Sequence, residues 1–210
     1  MNIQAFCEQD DWPHEVGNDP LWQESSLFVW NDLEQGVGGS WRIGQEPNAG
    51  ATNSCFGVFT ATGLRFRSNV SGAALRPAER GEAHMAWGPH LKVEFDRGAC
   101  LSVNFPDCEA NLHFADFHPR FDYHAIAMPG RPLSGAAHRF EVSGRMTGTI
   151  RIGAEEIAVN ALGYRDRSWG RRDWSQIRGT RWWPCVFGPD LTTNIIHLVR
   201  DEAVLKVGYV

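Results

Sequence analysis

Residues 163–174 read Gly-Tyr-Arg-Asp-Arg-Ser-Trp-Gly-Arg-Arg-Asp-Trp, the densest run of chemically capable side chains in the chain. Arginine stays charged and offers a rigid fork of donors, so its alternation with aspartate makes ion pairs that survive partial burial, where isolated charges would not. Two readings follow. In one the run is a clamp, with Arg165, Arg167 and Arg172 as ion-pair partners that lock a sheet. In the other it is a site in which Asp166 and Asp173 are the reactive carboxylates, and Tyr164, Trp169 and Trp174 supply aromatic faces.

Other candidate chemistries are weaker. His113, His118 and His124 share no face of a straight strand, and Pro119 interrupts them, so no metal site is expected. His14 and His197 are isolated and read as hydrogen-bonded surface or core residues. Gly36-Val37-Gly38-Gly39 lacks the Gly-Lys-Ser/Thr ending of a phosphate loop. Ser168 lies in Arg-Ser-Trp-Gly, not in a Gly-x-Ser-x-Gly elbow. Cys7, Cys55, Cys100, Cys108 and Cys185 are odd in number and widely spaced, which predicts free thiols.

Charge is uneven. The net value of −5 combines +4 between Gly163 and Trp183, where six arginines face two aspartates, with −9 elsewhere. Basic charge interleaved with tryptophan is one signature of single-stranded nucleic-acid binding, but this acidic chain lacks the broad basic surface that binding requires, and no nucleic-acid partner is expected. There is no run of 18 apolar residues and no basic, apolar secretory start, so no membrane span is expected and a cytoplasmic location is.

The elements that must position these residues are strands. The first 20 residues are rich in turn formers and read as an irregular arm. Strand patterns follow at Leu21–Trp30, Val37–Ile43, Cys55–Thr60, Leu91–Asp96, Cys100–Phe105 and Leu112–Phe117. Phe140–Ile152 and Glu156–Tyr164 predict an antiparallel hairpin. Gly144 and Gly148 fall on the apolar face of its first strand, which predicts curvature around a cavity. Trp182–Phe187, Thr192–Val199 and 203–209 complete an all-β, antiparallel barrel or sandwich with no convincing helix.

Three separated motifs resemble one family. Gly17-Asn18-Asp19-Pro20-Leu21-Trp22-Gln23-Glu24-Ser25, then Gly36-Val37-Gly38-Gly39 with Arg42-Ile43-Gly44, then the 163–174 run, are similar to the lipocalin-like hydroxyneurosporene synthase (carotenoid 1,2-hydratase, AttH-like) superfamily. The resemblance implies two consecutive lipocalin-type barrels: a first over 21–135 and the start of a second over 136–210. Because family chains are commonly longer, it also implies an incomplete second barrel, completed by a second copy or a separate chain. Relatives carry histidine where this chain has Arg167, so chemistry that needs that histidine is not carried over.

The implied activity is that of a cofactor-independent lyase or isomerase, hydrating, dehydrating or cyclising an apolar isoprenoid- or steroid-like molecule. The alternatives are a non-catalytic carrier of lipophilic molecules or one subunit of a two-chain enzyme. Protonating an alkene needs an acid in a dry pocket and aromatic faces to steady the cation. Asp166, flanked by Arg165 and Arg167, is expected to stay ionised. Glu24, among Trp22, Phe28 and Trp30, is expected to be desolvated and is the preferred proton donor. Trp22, Tyr164, Trp169 and Trp174 are the expected substrate-facing aromatics.

Overall fold

A computed structural model describes residues 6–63, 65–126, 136–200 and 204–210. Its strands are β1 (Trp22–Asp32), β2 (Val37–Glu46), β3 (Ala51–Thr60), β4 (Arg65–Ala74), β5 (His84–Trp87), β6 (Leu91–Phe95), β7 (Ala99–Phe105), β8 (Cys108–Asp116), β9 (Phe121–Asp122), β10 (Ala136–Ile152), β11 (Glu155–Arg172), β12 (Gly179–Val186), β13 (Thr192–Val199) and β14 (Val204–Tyr209). The described helices are single 3-10 turns. The protein is all-β, as the strand periodicity predicts, and lipocalin-like, as the family resemblance implies.

One curled antiparallel sheet runs in the order β4-β3-β2-β1-β11-β10-β8-β7-β6-β5, with β9 beside β10. Its concave face holds the main core, where Phe28, Trp41, Ile43, Phe56, Met85, Phe114, Met146 and Ile150 are fully buried. Each comes from a position whose strand neighbours point the other way, the two-residue period of a half-buried strand. β12, β13 and β14 form a second sheet, packed through Ile196, Leu198 and Trp182 on a smaller core with Tyr123.

The expected hairpin is present, with Ile150 opposite Ile157 and Gly144 opposite Gly163. It runs further than its pattern: β11 continues through the whole arginine and aspartate run to Arg172, paired with β1 on its other side. The alternation that marks a strand ends at Gly163 because residues 163–170 are buried on both faces. β4 and β5 have no counterpart among the expected strands. β4 reads Arg-Phe-Arg-Ser-Asn-Val-Ser, and as an edge strand it exposes most of these polar side chains.

The glycines of β10 do not open the predicted cavity at Gly144. A Cβ there would lie 2.5 Å from the Phe114 ring and 2.3 Å from the Ala115 carbonyl oxygen. Opposite, a Cβ on Gly163 would lie 2.8 Å from the same ring. The paired glycines therefore make room for Phe114, and core packing takes the space.

Candidate functional site

Cross-strand pairing decides which residues of the 163–174 run can act together. Residues opposite one another in a ladder point to the same face, so Ser26 and Phe28 of β1 share the concave face with Arg167 and Arg165. Ser25 and Leu27 share the convex face with Ser168 and Asp166. Arginines and aspartates adjacent in sequence thus face opposite sides.

On the concave side the N-terminal arm closes over the arginines. Arg165 donates Nε and Nη2 to the Asp116 carboxylate, both at 2.7 Å, and Nη1 to Asp11 at 2.5 Å. Arg120 binds the other Asp11 oxygen at 2.5 Å. Arg167 donates to the carbonyls of Asp11 (3.0 Å), Trp12 (3.0 Å) and Ser25 (3.1 Å), and pairs with Glu24. Glu24 also pairs with Arg80 and accepts from His14 Nδ1 at 2.7 Å. The His14 ring stacks on Trp169 at 3.9 Å between centroids. Each buried guanidinium here meets at least one carboxylate, and Arg167 three backbone carbonyls besides, which offsets the desolvation.

This setting corrects the expectation for Glu24. Burial does oppose its ionisation, as its aromatic neighbours suggest, but Arg167, the His14 hydrogen bond and Arg80 outweigh it and hold the carboxyl at about 2. An acid so strongly ionised has no proton to give near neutrality. The His14 found here was expected to be isolated.

The convex side is covered by the second sheet only in part. Between it and the second sheet lies a cleft of about 720 Å³, lined among others by Ser25, Leu27, Arg42, Val70, Arg139, Asp166, Arg172, Trp174, Ile177, Trp182, Ile196 and Leu198. Asp166 is held by Arg139 Nε at 2.6 Å. Its flanking arginines in sequence do not reach it, being on the other face. Arg139 also pairs with Glu141, which is fully buried, accepts from the Tyr164 hydroxyl at 2.6 Å, and is bonded by Asn194 of β13. Burial pushes the Glu141 carboxyl up to about 7 against the pull of Arg139. Tyr164 further bonds Tyr209 of β14, so this cluster fastens the second sheet to the first.

The expected site residues therefore divide. Asp166 and Trp174 line the cleft. Trp22 packs with Phe140 and Trp169 beneath the arm, and Arg80 lies over its ring. Trp169 and His14 border a smaller pocket of about 390 Å³ with His138 and Phe6. Asp173 caps the turn Trp174–Gln176, accepting from the Ser175 amide at 3.0 Å and hydroxyl at 2.6 Å, and does not join Asp166. Arg165 and Arg167 form ion pairs, with Asp11, Asp116 and Glu24 and not with the aspartates of the run. Arg172 does not: it donates to Ser168 Oγ (2.7 Å) and Ser25 Oγ (3.2 Å) and stacks on Trp174.

Arg42, Arg139 and Glu141 were missed. Arg139 lies just before the predicted strand 140–152 and Glu141 on its polar face; only the second sheet, far along the chain, makes that face an interior. Asp11 and Arg80 come from turn-rich segments whose partners no local pattern reveals.

Fold and site together define an all-β, lipocalin-like protein with a small-molecule-sized cleft between two sheets. The chain belongs to the family described as domain of unknown function DUF7064, which matches residues 7–210. Among solved structures it resembles a protein assigned to AttH from Nitrosomonas europaea, with a TM-score of 0.71 and 12% identity, covering 99% of this chain and 70% of that one. It also resembles CghA, with a TM-score of 0.58 and 12% identity over 90% of this chain, and CghA with Sch210972, with a TM-score of 0.56 and 13% identity. The chain spans 57% of CghA. No curated protein sequence matches it.

Among the described residues, no helix is long and apolar enough to cross a membrane.

Proposed function

We propose that the cleft binds an apolar isoprenoid- or steroid-like small molecule and that the protein acts on it as a cofactor-independent lyase or isomerase, related to the hydroxyneurosporene synthase-like proteins. The observation that carries this reading is the position of Asp166, a carboxylate held by Arg139 in a cleft whose wall also presents Leu27, Val70, Ile177, Trp182, Ile196 and Leu198. A cleft of about 720 Å³ lies within the range of roughly 300–1,000 Å³ common for small-molecule sites. CghA, a neighbour in fold, has been solved with Sch210972, which supports the reading that this architecture accommodates small molecules.

Asp166 is read as the base that removes a proton from carbon, because a carboxylate can take up a proton without first having to acquire one, and isomerisation or elimination then fits better than hydration. Trp174 and Trp182 offer aromatic faces to the ligand body, and Leu27, Ile196 and Leu198 exclude water around it.

The test is a panel of isoprenoid and steroid-like alcohols and ketones incubated in D₂O, with carbon-bound deuterium and products read by mass spectrometry. Binding is followed separately by quenching of tryptophan fluorescence. The wild type is expected to exchange or convert at least one member, and Asp166→Asn to bind it without exchange. Binding without exchange or conversion in the wild type would contradict catalysis and favour a carrier. An absence of binding across the panel would contradict both.

A further inference from the structure

Two guanidiniums in the cleft lack the partner that the others have. Arg42 of β2 reaches into it, and among the described residues it makes no hydrogen bond and no ion pair. Space for it is provided by Gly44, where a Cβ would come within 2.6 Å of Arg42 Nη2. Arg172, at the end of β11, has among the described residues only the two serine hydroxyls as acceptors. Its Nε is shielded from solvent with no hydrogen-bond partner, and its guanidinium lies 4.3 Å from the Trp174 ring centroid. Among the described residues, neither lies within ion-pair distance of a carboxylate.

The nearby acids are engaged elsewhere. Asp166 is held by Arg139, and Glu46 accepts from the Asn53 amide at 2.5 Å. Burial lowers both arginines from their ordinary value, Arg172 to about 10. The charge of Asp166 opposes the shift at both, while Arg139 and Arg42 add repulsion at Arg172. On the concave face of the same strand each buried arginine has its carboxylate, so this contrast is local. Cations held half-buried and unpaired cost free energy that an incoming anion recovers. A planar carboxylate matches the donor fork of a guanidinium.

We infer that the cleft selects ligands bearing a carboxylate, held by Arg42 and Arg172, with an apolar body lying along Leu27, Trp182, Ile196 and Leu198. This rests on the reading that the cleft is the ligand site, and it adds the chemical class of what enters. Trp174, stacked on Arg172, marks the boundary between head group and tail.

Dodecanoic acid and its methyl ester separate the two claims, because they share an apolar chain and differ in charge. Titration of each, followed by tryptophan quenching at pH 7.5, is expected to show the acid binding roughly tenfold to hundredfold more tightly, the range of one to two charge-assisted hydrogen bonds. Added salt is expected to weaken the acid and leave the ester nearly unchanged. Arg42→Met and Arg172→Met, checked for an unaltered circular dichroism spectrum, are expected to remove most of the preference while retaining ester affinity. The salt series needs no variant and decides the matter if either variant misfolds. Equal binding of acid and ester by the wild type would overturn the carboxylate inference and leave the cleft as a ligand site. Binding of neither would overturn both.

Discussion

Glu24 and Glu141 are both sealed from water, and burial pushes both toward the neutral form. They part because Glu24 faces Arg167, Arg80 and His14, whereas Glu141 shares Arg139 with a second carboxylate, Asp166. The sign of the stability effect follows. Glu24 is depressed from 4.5 to about 2, so its stabilisation is fully present above about pH 4.5 and is lost as pH falls toward 2. A shift of that size corresponds to roughly 3 kcal/mol. Glu24→Gln is expected to cost about 3–5 kcal/mol at neutral pH, because Arg167 loses its carboxylate, and to flatten the acid limb. Denaturant unfolding at a series of pH values checks this. An acid limb of the same slope in variant and wild type would contradict the clamp.

At the scale of elements, β10 and β11 show how close backbone approach replaces side-chain volume. Gly163→Ala would set a methyl against the Phe114 ring, with the Val29 carbonyl oxygen 3.1 Å away. It is expected to destabilise by about 1–3 kcal/mol, and Phe114→Leu in the same chain to recover part of that loss. A double-mutant cycle measures the coupling, and strict additivity would show that the ring is not what fills the glycine notch. The hairpin was legible because its first strand alternates cleanly along 140–152, and because Met146 and Ile150 have apolar counterparts in Ala161 and Ile157. The extension of β11 was not, since a strand covered on both faces loses its alternation. Asp166 was legible as a candidate, but its partner was not: neighbours in a strand point apart, and Arg139 meets Asp166 only through the ladder between β10 and β11. Glu24 was legible as buried. Its ionisation depends on Arg80, His14 and Arg167, which approach from three separate segments.

Over the whole molecule, the curled sheet gives its two faces different tasks. Its concave side is filled by an apolar core and by the arm, whose Asp11 carboxylate and the backbone carbonyls of Asp11 and Trp12 take up Arg165 and Arg167. Its convex side is covered only in part by the second sheet, fastened through Glu141, Tyr164, Asn194 and Tyr209. What remains between them is the cleft in which Asp166, Arg42 and Arg172 meet apolar surface. The most direct test of that division is photo-crosslinking with a diazirine-bearing dodecanoic acid, followed by peptide mapping. Adducts are predicted in peptides spanning 21–46 and 172–199, diminished by excess unlabelled dodecanoic acid. Adducts confined to 91–117, the core-facing strands of the concave side, would contradict the account.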